Sequence, residues 1–567
     1  MICSVPFRDP VRFVLVAMFM HEAVTVSPAF EPTRGDFRKA SDSHVRVLSY
    51  NVNANFTTGT SLDSALGRIV LTVDPDVIAF QEIPTLLAED AIRQWLEARI
   101  PSDEWSVLLG EASGPIRNVL ATRFAFDPGT TITDTTPPSN TRGVTAALID
   151  LPATVSQTVD LYVMAVHFKS FATLEDHAKR QQHADAIIHW MRDARTTGEH
   201  IDLAPGTPIL VVGDMNVDHW DQGDALPCHP TRTLLYGDIF DESTYGADSP
   251  PDWDGGDSAD AAPYDPNTGD IHTHRAQSND PGSRYDRFIY TDSVLRVANR
   301  FILNTAAMSP AALAAAGLLP DDTTTASDHL PIVADFALGP DPNPPGRLLI
   351  NEFSYNDTGT DDRSFIELRN VGGREIALDA PLDYHLLTSN NNVPTTPPLA
   401  ENVSLDFDLK GVVPPGGLFV LYDAAGESSA VAARIEAALP ALQRQDQAAF
   451  RLNNGPDAAI ALVTTDNYHE ILTTGTVLYT TATLVEAYLY ADAEPGGSHF
   501  FRTDSANSLL IELTGGQLST LDLVSDTLSF SRNAGDTTPN SFAGWTLATA
   551  TPGTPNGRTS ARSWTRY

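Results

Sequence analysis

Pro208 to Trp220, with the sequence PILVVGDMNVDHW, is an apolar run that ends abruptly on Gly, Asp and Asn. Ile209 to Val212 are branched aliphatic residues without polar alternation, which is typical of a strand covered on both faces. Asp214 and Asn216 lie two residues apart, so extended backbone directs both side chains to the same side. The stretch predicts a buried strand that delivers a carboxylate and an amide to its end. A simple Asp/Asn turn after a strand is the alternative.

Five other segments place polar residues at the edge of an apolar run in the same way. A single His or Asp beside a strand is weak evidence, because His is often a surface residue or a hydrogen-bonded core residue. Six such segments in one chain are much stronger evidence. The five are LSYN ending at Asn51, IAFQE ending at Glu82, YVMAVHFKS around His167, RYDRFIY around Asp286, and TASDHLPIVADF with Asp328 and His329.

Taken together, the six segments resemble the endonuclease/exonuclease/phosphatase family of metal-dependent phosphoesterases, which includes deoxyribonuclease I, abasic-site endonucleases, bacterial sphingomyelinases and inositol-polyphosphate phosphatases. The resemblance covers residues 44–338 and rests on the order Asn, Gln-Glu, His, Gly-Asp-Xxx-Asn, Asp and Ser-Asp-His. It implies a four-layer α/β sandwich of two mixed sheets flanked by helices, with the six motifs meeting at one edge.

Hydrolysis of a phosphodiester needs a positioned water, neutralised phosphate oxygens and a stabilised leaving oxygen. Glu82, with Asn51 beside it, offers oxygen ligands suited to Mg²⁺ or Mn²⁺, with Ca²⁺ as a third candidate. The resemblance implies that Glu82 is the principal metal ligand, that Asp214 positions or activates the attacking water, and that Asn216 holds the phosphate. The neutral Asn53 replaces an acidic residue of many relatives, which argues against a second metal there.

Two histidines, His167 and His329, are implied by the resemblance to act as acid–base groups and to stabilise the transition state. A carboxylate beside an imidazole fixes its tautomer and raises its basicity. We therefore predict that Asp286 orients His167 and that Asp328 orients His329.

The charge balance is strongly acidic, with 73 acidic residues, 36 basic residues and a net charge of −37. Such a chain is not a generally cationic nucleic-acid binder. Only four residues are lysines, and Lys169 and Lys179 are two of them, with Arg180 adjoining. These three predict a local phosphate-binding patch, and Arg142 is a weaker candidate. A solvated helix face is the alternative for Lys179 and Arg180.

Alternating helices and strands are predicted through the first 340 residues. Apolar periodicity indicates helices over 61–73, 86–100 and 175–194, and strands over 106–109, 144–149 and 161–166. Residues 241–273 are rich in Asp, Gly, Pro and Ser. They predict a solvated insertion, with a Ca²⁺ loop at Asp252 to Asp257 as the alternative.

The first 29 residues have the layout of a secretory signal, with Arg8 and Arg12 before the apolar run 13–20 and small residues near Ala29. A misassigned start codon is the alternative. No later stretch has the length of apolar residues that a membrane span requires. Cys228 would be the only cysteine after cleavage, which excludes a disulfide within the mature chain. We expect a secreted or cell-surface protein.

A Pro-rich linker at 339–346, GPDPNPPG, predicts a domain boundary. Beyond it, period-two alternation and frequent turns predict an all-β sandwich over 347–557. The segments at both ends of this region resemble the lamin-tail domain, an immunoglobulin-like module, and 427–446 predicts an inserted helix. Glu352 and Glu367 are expected to be solvent-facing or structural and not metal ligands.

Three functions remain open from the sequence. The first is a divalent-metal-dependent nuclease acting on DNA or RNA, favoured by His-Phe-Lys-Ser at residues 167–170 and by the resemblance of the second module to those of extracellular nucleases. The second is a phospholipid or sugar-phosphate phosphoesterase on the same scaffold. The third is a surface or polymer-binding protein with a vestigial catalytic domain, which the presence of all six motifs disfavours.

Overall fold

A computed structural model gives the architecture of the chain. The predicted signal at 1–29 and Cys228 lie outside the residues that it describes. The described residues are 30–56, 61–100, 104–132, 142–156, 158–171, 173–198, 200–217, 230–275, 282–354, 364–379, 383–389, 399–424, 429–448, 450, 452, 458–465, 470–471, 477–478, 482–490, 499–502, 510–513, 528–533, 535–537, 545–549 and 551–554.

The first half alternates strands and helices. Its strands are β1 Val45–Asn51, β2 Val77–Pro84, β3 Ser106–Leu109, β4 Ile116–Thr122, β5 Ala125–Phe126, β6 Arg142–Asp150, β7 Leu161–His167, β8 Ile209–Asp214, β9 Ala259–Asp260, β10 Asp286–Tyr290, β11 Leu295–Ile302 and β12 Ile332–Leu338. Its helices are α1 Ser61–Val73, α2 Glu89–Glu97, α3 Leu174–Ala194, α4 Pro230–Tyr236, α5 Glu242–Tyr245, α6 Pro310–Ala316 and α7 Asp322–Ala326, with short 3-10 turns at Pro32–Arg34 and Thr305–Ala307.

These strands form two mixed six-stranded sheets, in the orders β11-β12-β1-β2-β4-β3 and β5-β6-β7-β8-β10-β9. Each sheet contains one parallel pair at its centre, β1 with β2 and β7 with β8. The predicted pair of mixed sheets with flanking helices is confirmed.

Three apolar clusters give the layer order. Between the sheets, Val47 and Ala79 of one sheet pack in a cluster with Val163 and Val212 of the other. The outer face of the first sheet packs on α1, α2 and α6, and the outer face of the second packs on α3 and α4. Each sheet is therefore covered on both faces, which explains why the strand at 209–212 has no polar alternation.

Local signals fix the helix ends with differing accuracy. Helix α3 begins one residue before the prediction because Thr173 and Asp176 form a reciprocal capping box. Helix α2 is shorter than the predicted 86–100, since Leu86 lies exposed in a turn before it.

The expected solvated insertion at 241–273 is instead packed against the sheet. Asp252, Asp260 and Asp265 are buried. Asp252 accepts the backbone N–H of Ser293, and Asp260 pairs with buried Arg287 at 3.0 Å. The Asp residues are therefore used to fold the loop, which explains their density in the sequence.

The second half is built almost entirely of strands. They are β13 Leu348–Ser354, β14 Phe365–Asn370, β15 Ile376–Ala377, β16 Asp383–Ser389, β17 Leu399–Asp408, β18 Val412–Val413, β19 Leu418–Tyr422, β20 Arg444–Asp446, β21 Ala458–Thr465, β22 Glu470–Ile471, β23 Val477–Leu478, β24 Ala482–Tyr490, β25 His499–Arg502, β26 Leu510–Leu513, β27 Leu528–Arg532 and β28 Trp545–Thr549; the predicted helix is α8 Ser429–Ala438, followed by a 3-10 turn at Ala441–Gln443.

Two six-stranded sheets of this half enclose one apolar core. Their orders are β20-β19-β14-β13-β27-β28 and β24-β21-β16-β17-β25-β26. The core joins Ile350 and Phe419 of the first sheet to Leu386 and Leu462 of the second. The described part of this half is therefore a two-sheet β-sandwich.

Glu352 and Glu367 are fully buried, so a solvent-facing position is wrong for both. They lie opposite each other on β13 and β14. Glu352 accepts Ser529 Oγ at 2.6 Å and the N–H of Thr551 at 2.7 Å, and Glu367 accepts the N–H of Gly553 at 2.7 Å. Burial raises the pKa of both carboxyls. Their role is structural, because they fasten the late segment 551–553 to the first two strands of the sandwich.

Within the described ranges, no helix combines the length and apolarity that crossing a bilayer demands.

A buried ion pair holds β1, the strand that ends on Asn51. Arg46 Nε and Nη2 lie 2.6 and 2.9 Å from the two carboxylate oxygens of Asp335 on β12, and Nη1 donates to the carbonyl of Val73 at 2.8 Å. Arg46→Ala would leave the Asp335 carboxylate buried without its partner. We expect a loss of about 3–5 kcal/mol in the free energy of unfolding of the first half, measured by chemical denaturation.

The matched control is Arg38→Ala, which removes an exposed arginine paired with Asp36. Exposed pairs contribute little because water screens them, so this variant should unfold like the wild type. Equal destabilisation by the two variants would contradict the role of the buried pair.

Candidate active site

Asp214, the last residue of β8, lies at the centre of the polar groups predicted from the sequence. Its buried Oδ2 lies 2.9 Å from Asn51 Nδ2, 3.3 Å from His167 Nε2 and 3.7 Å from His329 Nε2. Its Oδ1 accepts the backbone N–H of Asn216 at 2.9 Å. Four sequence-distant motifs therefore meet at one carboxylate.

Burial alone would raise the pKa of Asp214, but His329 and His167 outweigh it and hold the pKa well below its usual range. The group is consequently an acceptor-only carboxylate at neutral pH. A buried carboxylate of this kind can accept a hydrogen bond from water or receive a proton, and its neighbours prevent it from being neutralised in the resting state.

Asp286 pairs with His329 and not with His167, which corrects the predicted pairing. Asp286 Oδ2 lies 2.8 Å from His329 Nδ1. Strand β8 lies between β7 and β10, and Asp214 is in register with both His167 and Asp286. His167 and Asp286 are therefore two strands apart, roughly 9–10 Å, whereas His329 reaches Asp286 from the turn before β12.

Asp328 does not take the orienting position that the sequence suggested. Its carboxylate accepts Ser327 Oγ at 3.3 Å and lies 3.9 Å from His274 Nε2. The side chains of adjacent residues in extended backbone point to opposite sides. The Asp328 side chain therefore faces solvent, and the His329 side chain faces the site. The orienting carboxylate of His329 is therefore Asp286.

His329 carries a proton over a wide pH range. Burial lowers the pKa of His329, but the charges of Asp286 and Asp214 outweigh this effect and raise the pKa to about 10. At neutral pH the ring is a cation with Nε2 directed toward Asp214. It can donate a hydrogen bond to a negatively charged oxygen in the site.

His167 ends β7 and faces the two acidic groups of the site. Its Nε2 lies 3.3 Å from Asp214 Oδ2 and 3.6 Å from Glu82 Oε1. The next residue, Phe168, stacks on the ring of His183 with centroids 4.3 Å apart. Burial lowers the pKa of His183 to about 3, so this support behind the site stays neutral.

Glu82 is aimed by an irregularity in β2. The β2–β4 register shifts between Phe80 and Ile83, and Glu82 has a left-handed φ of +58°. Strain of this kind is often found where a side chain is held for function. The Glu82 side chain is 22% exposed, so one edge of its carboxylate reaches solvent at the rim of the site.

The donor set around Glu82 fits a mostly hydrated Mg²⁺. Asn51 Nδ2 lies 3.4 Å from Glu82 Oε1, and Asn51 Oδ1 accepts the N–H of Asn53 while keeping a second lone pair. Across the described ranges, no group of three or more His, Cys, Asp or Glu side chains is arranged to hold a metal ion. Mg²⁺ needs only one or two carboxylates and keeps several waters. Glu82, with the oxygen of Asn51, would hold such an ion.

Asn216 is also held in the left-handed region, with a φ of +49°. Its Nδ2 donates to the carbonyl of Phe168 at 3.3 Å. Because the amide carries two N–H donors, the second is available for a phosphate oxygen, and phosphate binding by Asn216 stays a prediction.

The predicted cationic patch is largely neutralised. Arg180 is only 1% exposed and donates to the carbonyls of Lys169 and Phe171, so it builds a loop instead of binding substrate. Lys169 pairs with Asp176 at 3.0 Å, and Lys179 pairs with Glu175 at 2.6 Å. Arg142, on β6, is in register with His167, on β7. The side chain of Arg142 is not among those that the structure describes.

Two aromatic residues of the site, His274 and Tyr285, are not predicted by the sequence. The rings of His274 and His329 have centroids 5.0 Å apart, and Tyr285 lies 5.3 Å from His274. A backbone bridge also joins His274 to His329. The period-two pattern IHTHR at 271–275 is the signal that could have indicated an extended segment carrying a site residue.

A buried carboxylate between two histidines, next to a carboxylate suited to Mg²⁺, has the groups that metal-dependent hydrolysis of a phosphoester requires. Residues 48–329 match the profile of the Endonuclease/Exonuclease/phosphatase family. This half of the chain is therefore a domain of that family, whose members are metal-dependent phosphoesterase hydrolases that generally use divalent ions such as Mg²⁺.

Solved structures also resemble the chain at low identity. An endonuclease/exonuclease/phosphatase from Beutenbergia cavernae DSM 12333 is 15% identical, covering 78% of this chain and 99% of its own, with a TM-score of 0.36. Humanized D. rerio TDP2 is 16% identical over 52% of this chain and 99% of its own, with a TM-score of 0.33. The human Nocturnin catalytic domain is 14% identical over 52% and 95%, with a TM-score of 0.31. Among curated proteins, none matches the chain.

The Asp286–His329 pair predicts a change in the pH dependence of catalysis. Asp286→Asn removes the charge that contributes most to raising the pKa of His329. The His329 ring should therefore lose its proton at a pH below about 10. We expect kcat to fall by about 10²–10⁴ and the alkaline limb of the kcat profile to move to lower pH. The measurement is kcat against pH at saturating Mg²⁺.

Asp328→Asn is the control for this assignment. Its carboxylate is not the hydrogen-bond partner of His329, so the alkaline limb should stay close to that of the wild type. A larger shift with Asp328→Asn than with Asp286→Asn would restore the pairing predicted from the sequence and overturn the one seen in the structure.

Proposed function

We propose that the protein is a secreted, divalent-metal-dependent nuclease that hydrolyses phosphodiester bonds of DNA, with RNA as a second nucleic-acid substrate. The observation that supports it most is the Asp214 carboxylate, kept ionised between His167 and His329. This arrangement suits hydrolysis at a phosphate, because it combines an acceptor for water with a cationic donor, His329, for phosphate oxygens.

Each residue of the site has a role in phosphodiester hydrolysis that follows from its charge. Asp214 accepts a hydrogen bond from the attacking water and takes up its proton as the water oxygen bonds to phosphorus, so the carboxylate becomes neutral. His329, protonated and held by Asp286, stabilises the growing negative charge on the phosphate. A divalent ion at Glu82 would supply Lewis-acid neutralisation of the phosphate and leaving oxygens. Asn216 and His167 would orient the phosphate between these groups.

We propose a nucleic-acid substrate in preference to a lipid or sugar phosphate. His-Phe-Lys-Ser at residues 167–170, which begins on the last residue of β7, supports this choice because the motif is similar to one in extracellular nucleases. The described first half also has few large exposed apolar residues: Leu71, Leu86, Phe171, Leu174, Phe240 and Leu319. Phe171 and Leu174 are three residues apart at the start of α3 and the other four lie on separate segments, so this set gives little support to an extended membrane-binding face.

We propose that the second half is a lamin-tail-like, immunoglobulin-like module that contributes targeting. Its buried carboxylates Glu352 and Glu367 accept hydrogen bonds from the protein itself, so their chemistry is already used in folding. Residues 1–29, with the layout of a signal, support export of the chain.

The direct test combines substrate choice with removal of the metal ligand. We expect the purified wild type to cut plasmid DNA in Mg²⁺, to cut RNA more slowly or equally, and to leave sphingomyelin vesicles intact. Glu82→Ala should lower activity by more than about 10²-fold, because the site then has no carboxylate for Mg²⁺. The circular dichroism spectrum of this variant should match that of the wild type. Activity is followed by gel assay and phosphate-ester release.

Two comparisons make this test decisive. Asp42→Ala, at an exposed acid before the start of β1 and so at the opposite end of that strand from Asn51, should keep full activity, and EDTA should abolish it in both proteins. Full activity of Glu82→Ala, or of the wild type in EDTA, would refute the metal assignment. Cleavage of sphingomyelin without cleavage of either nucleic acid would refute the nuclease function.

The acidic surface predicts an unusual response to salt. The net charge of −37 repels a polyanion from a distance, and Lys169 and Lys179 are already paired. The screening length falls from about 30 Å at 0.01 M salt to about 8 Å at 0.15 M. With the divalent ion saturating, kcat/KM on DNA should therefore rise from very low NaCl to a maximum at moderate or high NaCl.

A small phosphodiester with one negative charge is the control, because long-range repulsion acts weakly on it. Its kcat/KM should vary much less with salt. A monotonic fall for DNA over the same range would show that phosphate contacts dominate through counterion release, which would refute the electrostatic argument and leave the phosphoesterase assignment untouched.

A further inference from the structure

An aromatic side chain stands in solvent four residues after His167. The side chain of Phe171 is 77% exposed, although Phe is among the residues most often buried. Its backbone has a φ of +78°, in the left-handed region that a bulky L residue rarely adopts. A strained residue that persists near a catalytic group is a sign of functional constraint.

A buried arginine holds this loop in place. Arg180 Nη1 donates to the carbonyl of Lys169 at 2.6 Å and to the carbonyl of Phe171 at 2.7 Å. Arg180 is itself 1% exposed and lies on α3. The buried guanidinium of Arg180 therefore holds the backbone of Phe171 in place, and the ring of Phe171 extends into solvent.

The two ends of the loop are also fixed. At its start, the N–H of Phe168 donates to the carbonyl of Asp214 at 2.8 Å. At its end, Lys169 pairs with Asp176, a member of the capping box that starts α3. A ring on such a loop is pre-organised, so little entropy is lost when a ligand packs on it.

The ring lies close enough to the site to touch a substrate. Four residues of extended chain span at most roughly 13 Å, so Phe171 lies within that reach of His167. The Lys169 ammonium lies 4.6 Å from the centroid of the Phe171 ring. The ammonium covers one face of the ring, which leaves the opposite face for a flat partner.

We infer that Phe171 is a stacking surface for the nucleobase next to the hydrolysed phosphate, and that it gives the enzyme a preference for flexible, single-stranded nucleic acid. This inference rests on the proposed nuclease function and names the substrate class of that site. Bases stack on aromatic side chains with little sequence preference, because every base has a π face. In a duplex the bases are already stacked on one another, so an unpaired base is the better partner.

Paired oligonucleotides test the inference. One is single-stranded DNA, and the other has the same length and phosphate count but carries abasic sugar residues. Phe171→Ala should lower kcat/KM on the first by about five- to a hundredfold, chiefly through KM. The same variant should act on the abasic strand like the wild type. Phe171→Tyr and Phe171→Trp should keep the activity on the base-bearing strand.

Phe240 supplies the matched control, because its side chain is also exposed, at 54%. Phe240→Ala should leave kcat/KM unchanged on both the base-bearing strand and the abasic strand. In EDTA, which prevents hydrolysis, the tryptophan fluorescence of Phe171→Trp should be quenched by the base-bearing strand more than that of Phe240→Trp. Equal quenching in both variants would count against stacking at residue 171.

The remaining outcomes separate this inference from the function on which it rests. An equal loss on both strands would mean that Phe171 only shapes the loop, and no loss on either would mean that it does not bind substrate; both overturn the inference alone. Loss of vesicle binding by Phe171→Ala, with unchanged DNA cleavage, would overturn it in favour of a membrane contact. If the wild type cuts neither strand, the nuclease function itself fails.

Discussion

The site depends on keeping one buried carboxylate ionised. An isolated buried charge is costly, and it persists only with partners and hydrogen bonds. Asp214 obtains these from Asn51 of the opposite sheet, from the histidines at 167 and 329, and from the backbone of Asn216. The same contacts join the two sheets at their edge, so the interaction that creates the chemistry also fixes the geometry around it.

Several arginines of the described residues are used to build structure. Arg46, Arg180 and Arg287 are almost completely buried and bind carboxylates or carbonyls. With basic residues outnumbered two to one, few are left to face a polyanion. Recognition of a nucleic acid would then rely on the metal, on the protonated His329 and on stacking, which are short-range interactions that salt screens less than distant charge.

The sequence predicted those features that follow from local pattern. The absence of polar alternation at 209–212 indicates a strand covered on both faces, and the order of the six motifs indicates which residues meet around Asp214. Side-chain pairing is less predictable. The sequence predicts that Asp286 pairs with His167, whereas the strand order places Asp214 between them. The structural alternative for Glu352 and Glu367 is confirmed, but their burial, like that of Arg180, is not predicted by the sequence. Burial of a charged group depends on tertiary contacts and not on neighbouring residues in the sequence.

The opposed carboxylates Glu352 and Glu367 have a consequence for how the chain is made. Thr551, which satisfies Glu352, lies 199 residues further along the sequence. At typical synthesis rates this separation corresponds to roughly 10–40 s. During that interval the first strands of the sandwich would carry two facing acidic groups without their final donors. The strands of the catalytic half, complete by β12, are all synthesised before this interval ends, so the delay falls on the sandwich and not on the active site.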